Sequence, residues 1–143
     1  MLVKQVSAFI ENKAGRLCEA ADKIAEKGID ISALSLADSA EYGVLRMIVS
    51  DPEKTVETLR EDGVICKVTT VLAVAMDDTP GGFAGVLNTL TEAGIEIKYI
   101  YACISRISGK ALMIFSVENP EIADELIAST EAGKVDPSEV YRI

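Results

Sequence analysis

The sequence predicts an α+β fold in which two small units follow one another, each running βαββαβ with an antiparallel sheet and both helices on one face. Three observations carry this prediction. A shift of 66 positions lays residues 5–50 on 71–116 without a gap, pairing Gly15 with Gly81, Gly28 with Gly94, Ile29 with Ile95, Ile31 with Ile97, Gly43 with Gly109 and Met47 with Met113. Within each copy, apolar residues alternate between the spacing of strands and that of helices. Glycine, Asx and proline positions punctuate both copies at matching places. The expected units are 1–69 and 70–143. Each is near the lower size at which one core suffices, so each gains by packing against a partner.

Val3–Ile10 and its counterpart Val71–Met76 have the composition of a buried opening strand. The turns that follow, Asn12-Lys13-Ala14-Gly15-Arg16-Leu17 and Asp78-Thr79-Pro80-Gly81-Gly82-Phe83, hold an Asn or Asp able to cap a helix and a glycine that relieves backbone crowding. Leu17, Ala20, Ala21 and Ile24, with Phe83, Val86, Leu87 and Leu90 in the second copy, recur at i, i+3, i+4, i+7 and mark one face of a helix. Gly28 and Gly94 end these helices as left-handed caps and lead into Ile29-Asp30-Ile31 and Ile95-Glu96-Ile97.

Ala33–Ala37 and Ile100–Ile104 read as strands, and Gly43 or Ser108-Gly109 turns each into a hairpin partner, Val44–Ser50 or Ala111–Val117. Asp51-Pro52 and Asn119-Pro120 place a capping side chain before a proline at the first helical position. Val56 and Leu59, or Ala123, Leu126 and Ile127, supply the buried stripe of that second helix. A closing strand is expected at Val64–Val68 and a weaker one at Val140–Ile143. The resulting order is the ferredoxin-like one, with the sheet face opposite the helices free to pack or bind.

Composition narrows the function classes. Twenty-three acidic residues against 14 basic ones give a formal net charge of -9, which repels phosphate backbones and anionic bilayers, so neither nucleic acid nor membrane is an expected partner. Cys18, Cys66 and Cys103 show no CxxC spacing, no histidine exists to join them, and they read as reduced, mostly buried residues of a cytoplasmic protein. The first residues, MLVKQVSAFIENK, are too polar for a signal peptide or membrane span. Without histidine, a GxSxG nucleophile, a phosphate loop or a metal-ligand cluster, no catalysis, metal or cofactor is expected.

The turn after the first strand is the best candidate site, because its glycine admits a ligand to the backbone and helix-start N–H groups favour a carboxylate. Asn12 with Asp30, and Asp78 with Glu96, are expected near one end of each sheet, where side-chain oxygens suit an ammonium; together these groups fit a free α-amino acid. The bland alternative makes Asn12 and Asp78 helix caps and Asp30 and Glu96 solvated strand ends. Tyr99 and Tyr101 share a strand face and form either a ligand wall or cross-strand packing. Arg46, opposite in type to its counterpart Leu112, reads as an ion-pair partner.

The pattern of apolar strand, D/N-x-P-G-x-L/F turn, amphipathic helix and Gly-Ile-acid-Ile step resembles the ACT domain, most closely at Asp78–Phe83 and Gly94–Ile97, and covers the chain as a tandem pair. The resemblance implies a regulatory module that binds a small ligand, typically an amino acid, between two ACT domains packed side by side. It implies contacts at Asn12, Gly15 and Asp30 and at Asp78, Gly81 and Glu96, with Arg16, Leu17, Ile31, Gly82, Phe83 and Ile97 as backbone or wall contributors. Ala14 departs from the usual proline. Asp78 and Glu96 make the second site doubly acidic, so the first turn better matches an ordinary zwitterion.

The resulting expectation is a stand-alone regulatory protein, a homodimer, that binds a free amino acid and signals to a metabolic enzyme. The alternative is a ligand-independent module that docks on such an enzyme through its sheet.

Overall fold

The computed structural model describes residues 1–38, 41–107, 109–130, 132 and 135–141. The elements run β1 (Leu2–Glu11), α1 (Arg16–Glu26), β2 (Ile31–Asp38), β3 (Tyr42–Val49), α2 (Pro52–Glu61), β4 (Ile65–Asp77), α3 (Gly82–Glu92), β5 (Ile97–Ile107), β6 (Lys110–Val117), α4 (Pro120–Ala128) and α5 (Pro137–Tyr141). The closing strand expected of the first copy and the opening strand of the second are one strand, β4. Ser108 of the expected second hairpin turn lies outside the described residues, whereas Gly109 adopts φ 71°.

Two compact units form. One comprises Lys4–Thr69 with Tyr141, and the other comprises Met1–Val3 with Thr70–Val140. In the first, β3 pairs antiparallel with β1 from Val6↔Met47 to Glu11↔Tyr42, and with β2 from Ile31↔Val49 to Asp38↔Gly43. Alternation decides which side chains meet the helices: Val6, Ala8 and Ile10 with Leu45, Met47 and Val49 face Ala20 and Ile24 of α1 and Val56 and Leu59 of α2 in one core. Both helices therefore cover one face.

The second unit repeats the scheme, with β6 paired antiparallel to β4 and β5. Leu72, Val74, Met76, Phe115 and Val117 meet Val86, Leu90, Ala123 and Ile127. Its expected last strand, Val140–Ile143, is not there: Val140 and Tyr141 belong to α5, and residues 142 and 143 lie outside the described residues. The local cause is Asp136, whose carboxylate accepts from the Ser138 N–H at 2.8 Å and hydroxyl at 2.6 Å just before Pro137, which is a helix-start signal. Met1–Val3 belong to this unit instead. The Met1 N–H donates to the Ala73 carbonyl at 3.0 Å, the Ala73 N–H returns a bond to Met1 at 2.8 Å, and Leu2 packs on the core.

Side chains on the faces turned away from the helices are buried as well. Val3, Gln5, Ala33 and Ile48 in one set, and Val71, Ala73, Leu112 and Ile114 in the other, are buried. Gln5 answers the cost of burial by donating from Nε2 to Ser7 Oγ at 3.0 Å. The cysteines also differ from expectation: Cys66 is buried, Cys103 half-buried and Cys18 exposed, all three as free thiols. Burial pushes the Cys66 thiol up, which keeps it protonated.

Asp51 caps α2 by accepting the Lys54 N–H at 3.0 Å, whereas Asn119 makes no such bond at the start of α4. Asp51→Ala is expected to cost about 1 kcal/mol of stability and Asn119→Ala a few tenths. Urea unfolding of the two variants checks this, and equal losses would contradict the assignment.

Candidate ligand-binding turns

Each first turn is built on a left-handed glycine. Gly15 at φ 87° and Gly81 at φ 94° are the residues before α1 and α3, and neither helix receives a side-chain cap. The expected capping role of Asn12 and Asp78 is therefore corrected: both sit too far upstream once a glycine takes the cap position. The Glu19 N–H closes on the Gly15 carbonyl and the Gly85 N–H on the Gly81 carbonyl, both at 2.9 Å, so each helix starts at its glycine. The first-turn amides of Leu17 and Cys18, and of Phe83 and Ala84, are thereby left without a capping side chain.

Asn12 is fixed by backbone, with its N–H donating to the Glu41 carbonyl at 3.0 Å. A Cβ placed on Gly43 would lie 2.9 Å from Leu36 Cδ1, so Gly43 makes room for that side chain, and would only touch Asn12 Oδ1 at an ordinary 3.5 Å. Sequence reading saw Gly43 only as a turn. In the second turn the Asp78 N–H donates to the Gly109 carbonyl at 3.2 Å.

Asp30 and Glu96 stand elsewhere. The Asp30 N–H donates to Ser50 Oγ and its carbonyl accepts from the Ser50 N–H, both at 3.0 Å, beside Ile31↔Val49 at the far end of β3. Asn12 follows Glu11↔Tyr42 at the near end. Seven steps of strand at about 3.3 Å each separate the two ends by roughly 23 Å. Glu96 and Ile97 are displaced from Asp78 in the same way, next to Glu118 and Val117 at the far end of β6. The expectation that each pair shares one end of its sheet is thus overturned. A strand–helix–strand unit brings the chain back to the end where it began, so β2 starts opposite the β1–α1 turn.

Charges gather at the first turn. Glu11 Oε2 lies 3.0 Å from Lys13 Nζ and 3.7 Å from Arg16 Nε, and Arg16 also pairs with Glu19 at 3.0 Å. Lys13, and then Arg16, hold the Glu11 carboxyl below the usual carboxylate range, while Glu19 and Glu11 raise Arg16. In the second turn Gly82 replaces Arg16. A Cβ there would strike the carbonyl oxygen of Asp77, so this turn is drawn tightly onto its strand end. Leu17 and Phe83 are about half exposed beside their turns. Phe83 leans on buried Phe115 with ring centroids 6.4 Å apart.

Tyr99 and Tyr101 stack along β5 with centroids 6.5 Å apart, and Tyr101 is buried. Among the described residues no group of three His, Cys, Asp or Glu could hold a metal ion, and no helix is long and apolar enough to cross a membrane.

Residues 1–142 match the family described as the ACT domain pair. The chain belongs to that family. It is similar to the crystal structure of protein BT0572 from Bacteroides thetaiotaomicron, with 32% identity and TM-score 0.91, over 100% of this chain and 98% of that one. The regulatory subunits of aspartate kinase from Thermus thermophilus, in its ligand-free form, and Thermus flavus share the fold. Their identities are 15% and 16% and their TM-scores 0.64 and 0.62, over 92% and 90% of this chain and 95% and 94% of theirs. No curated protein matches in sequence.

The two ACT repeats thus keep one scaffold and vary its turns. The first carries an amide, an Ala at position 14 and a charged helix start. The second carries an acid, Pro80 and Gly82.

Proposed function

We propose that this ACT domain pair is a regulatory protein without catalysis of its own, which binds a free amino acid at the first turn and passes its bound state to a metabolic enzyme. The observation that supports this most is the uncapped start of α1 at left-handed Gly15, with the backbone of Asn12 held by the Glu41 carbonyl just before it. The ligand carboxylate takes the first-turn amides of Leu17 and Cys18, where the helix dipole favours an anion. Asn12 Oδ1 accepts from the ammonium, and the exposed Leu17 and the aliphatic part of Arg16 wall the side chain.

Asp78 would repel a carboxylate arriving at Gly81, Gly82 and Phe83, so the second turn is the poorer zwitterion site. Asp30 and Ile31 lie at the far end of their own sheet, and in this reading they contribute from a neighbouring copy of the chain; Glu96 and Ile97 are placed likewise. Binding would then favour the dimer, and that linkage is the regulatory signal.

Thermal unfolding with each proteinogenic amino acid at millimolar concentration tests the reading. One of them is expected to raise Tm, since a ligand at one hundred times its Kd adds about 2.7 kcal/mol. Asn12→Ala is expected to erase that rise and Asp78→Ala to leave it. No rise with any amino acid would overturn the proposal.

A further inference from the structure

The near end of the first sheet, where β1 ends and β3 and β4 begin, leaves large apolar side chains in water. Phe9 is 42% exposed, Tyr42 45% and Ile65 71%. All three line one cavity of about 150 Å³, whose floor is Ile10, Ala20 and Leu59 of the core. A cavity of that size holds one group about as large as benzene. The repeat shows that the fold does not require this display, since the residue matching Phe9 is Ala75, which is buried. We propose that this end of the first unit is a docking surface for a second copy of the chain, with each copy seating an apolar side chain of its partner over the cavity.

Charge decides which partner fits. The polar rim of the cavity is Glu11, Arg16, Glu19 and Asp62, and its carboxylates are matched: Glu11 by Lys13 at 3.0 Å, Glu19 by Arg16 at 3.0 Å and Asp62 by Lys23 at 3.5 Å. Three carboxylates against three cations leave no excess charge here, on a chain whose formal net charge is -9. The excess lies on the rest of the surface, where it repels a second copy, and a strongly charged partner finds no field at this end to answer its own. A copy of this chain brings the same balanced rim and the same apolar centre. A two-fold contact needs just such a patch that complements itself, and an apolar centre ringed by paired charge has the anatomy of an interface core and rim.

This contact joins near ends. The copy invoked for Asp30 and Ile31 approaches with its far end, so the two contacts are distinct and this one needs no ligand.

Sedimentation velocity of the full chain without any amino acid tests the proposal. A concentration-dependent dimer is expected. Ile65→Glu changes a side chain that lies mostly in water, so the fold tolerates it, and it is expected to weaken the dimer about thirtyfold or more; Phe9→Ala is expected to weaken it about tenfold. Ile122→Glu puts the same charge on another apolar side chain, 58% exposed on α4, and is expected to change nothing. Raising the ionic strength from about 0.01 M to about 0.1 M shortens the Debye length from about 30 Å to about 10 Å and is expected to tighten the dimer severalfold, because the net charges repel and the rim does not. A monomer at every concentration, a dimer that Ile65→Glu or Phe9→Ala leaves intact, an equal loss in Ile122→Glu, or weakening by salt would overturn the proposal. Asn12→Ala is expected to leave the dimer unchanged, which separates this surface from the amino-acid turn.

Discussion

Phe115→Ala is expected to lower the unfolding free energy by about 3–5 kcal/mol. The ring is fully buried, lies opposite Leu72 of β4 and Ile100 of β5, and receives the Phe83 ring at 6.4 Å. The chain has three phenylalanines and no tryptophan, and Phe9 and Phe83 are both about half exposed, so Phe115 is the one fully buried phenylalanine. Truncation removes its transfer energy and leaves a hole bordered by strands on two sides, which cannot close by moving one side chain. Phe83→Ala deletes the same group from a wet position and should cost well under half as much. Urea unfolding of the two variants decides the matter, and a loss below about 1 kcal/mol for Phe115→Ala would show that the site collapses.

Gly82→Ala is expected to cost about 1–3 kcal/mol, although a methyl group on an exposed helix usually helps. The added carbon would strike the Asp77 carbonyl oxygen, and backbone cannot swing aside as a side chain does. The repeat supplies an internal control. Arg16 holds the matching place in the first turn, carries its Cβ without conflict and points into the Glu11–Glu19 cluster. Arg16→Ala should therefore stay within about 0.5 kcal/mol of the parent. Amide exchange over residues 77–85 should rise in Gly82→Ala and remain unchanged in Arg16→Ala. An unaltered Gly82→Ala protein would mean that the second turn has slack, and that its glycine is not there to let strand and helix meet.

Element type was legible because it depends on near neighbours in the chain. The 3.6 spacing of Leu17, Ala20, Ala21 and Ile24 needs only one apolar side to give α1, and Asp51-Pro52 carries its own cap and its own φ. The same local chemistry at Asp136-Pro137 marks α5, where a strand over Val140–Ile143 was expected. Propensity for a strand has no force without an edge to pair with, and the residue bonded to Ala73 of β4 is Met1.

The candidate site was legible in part. Gly15 and Gly81 stand out in sequence because both repeats keep them, and the structure gives each a positive φ that any side chain would strain. The capping role of Asn12 failed by position, since the cap is the residue whose carbonyl receives the first helical bond, and that residue is Gly15. The grouping of Asn12 with Asp30 failed by topology, because a strand–helix–strand path puts the start of β2 opposite the end of β1. The rim of Glu11, Arg16, Glu19 and Asp62 was not foreseen as a set, since Asp62 lies 51 positions after Glu11 and no local period links them.

The sequence by itself determined the duplicated scaffold, the helix faces, the glycine turns and the net acidity, because each follows from residues within a few positions of one another or from simple counting. Only the tertiary structure decided which segment lies beside β4, which end of a sheet each candidate reaches, and why two turns of one pattern differ. Those outcomes depend on where distant segments meet, and a single carbonyl against Gly82, or a carboxylate beside Arg16, then sets what each turn can hold.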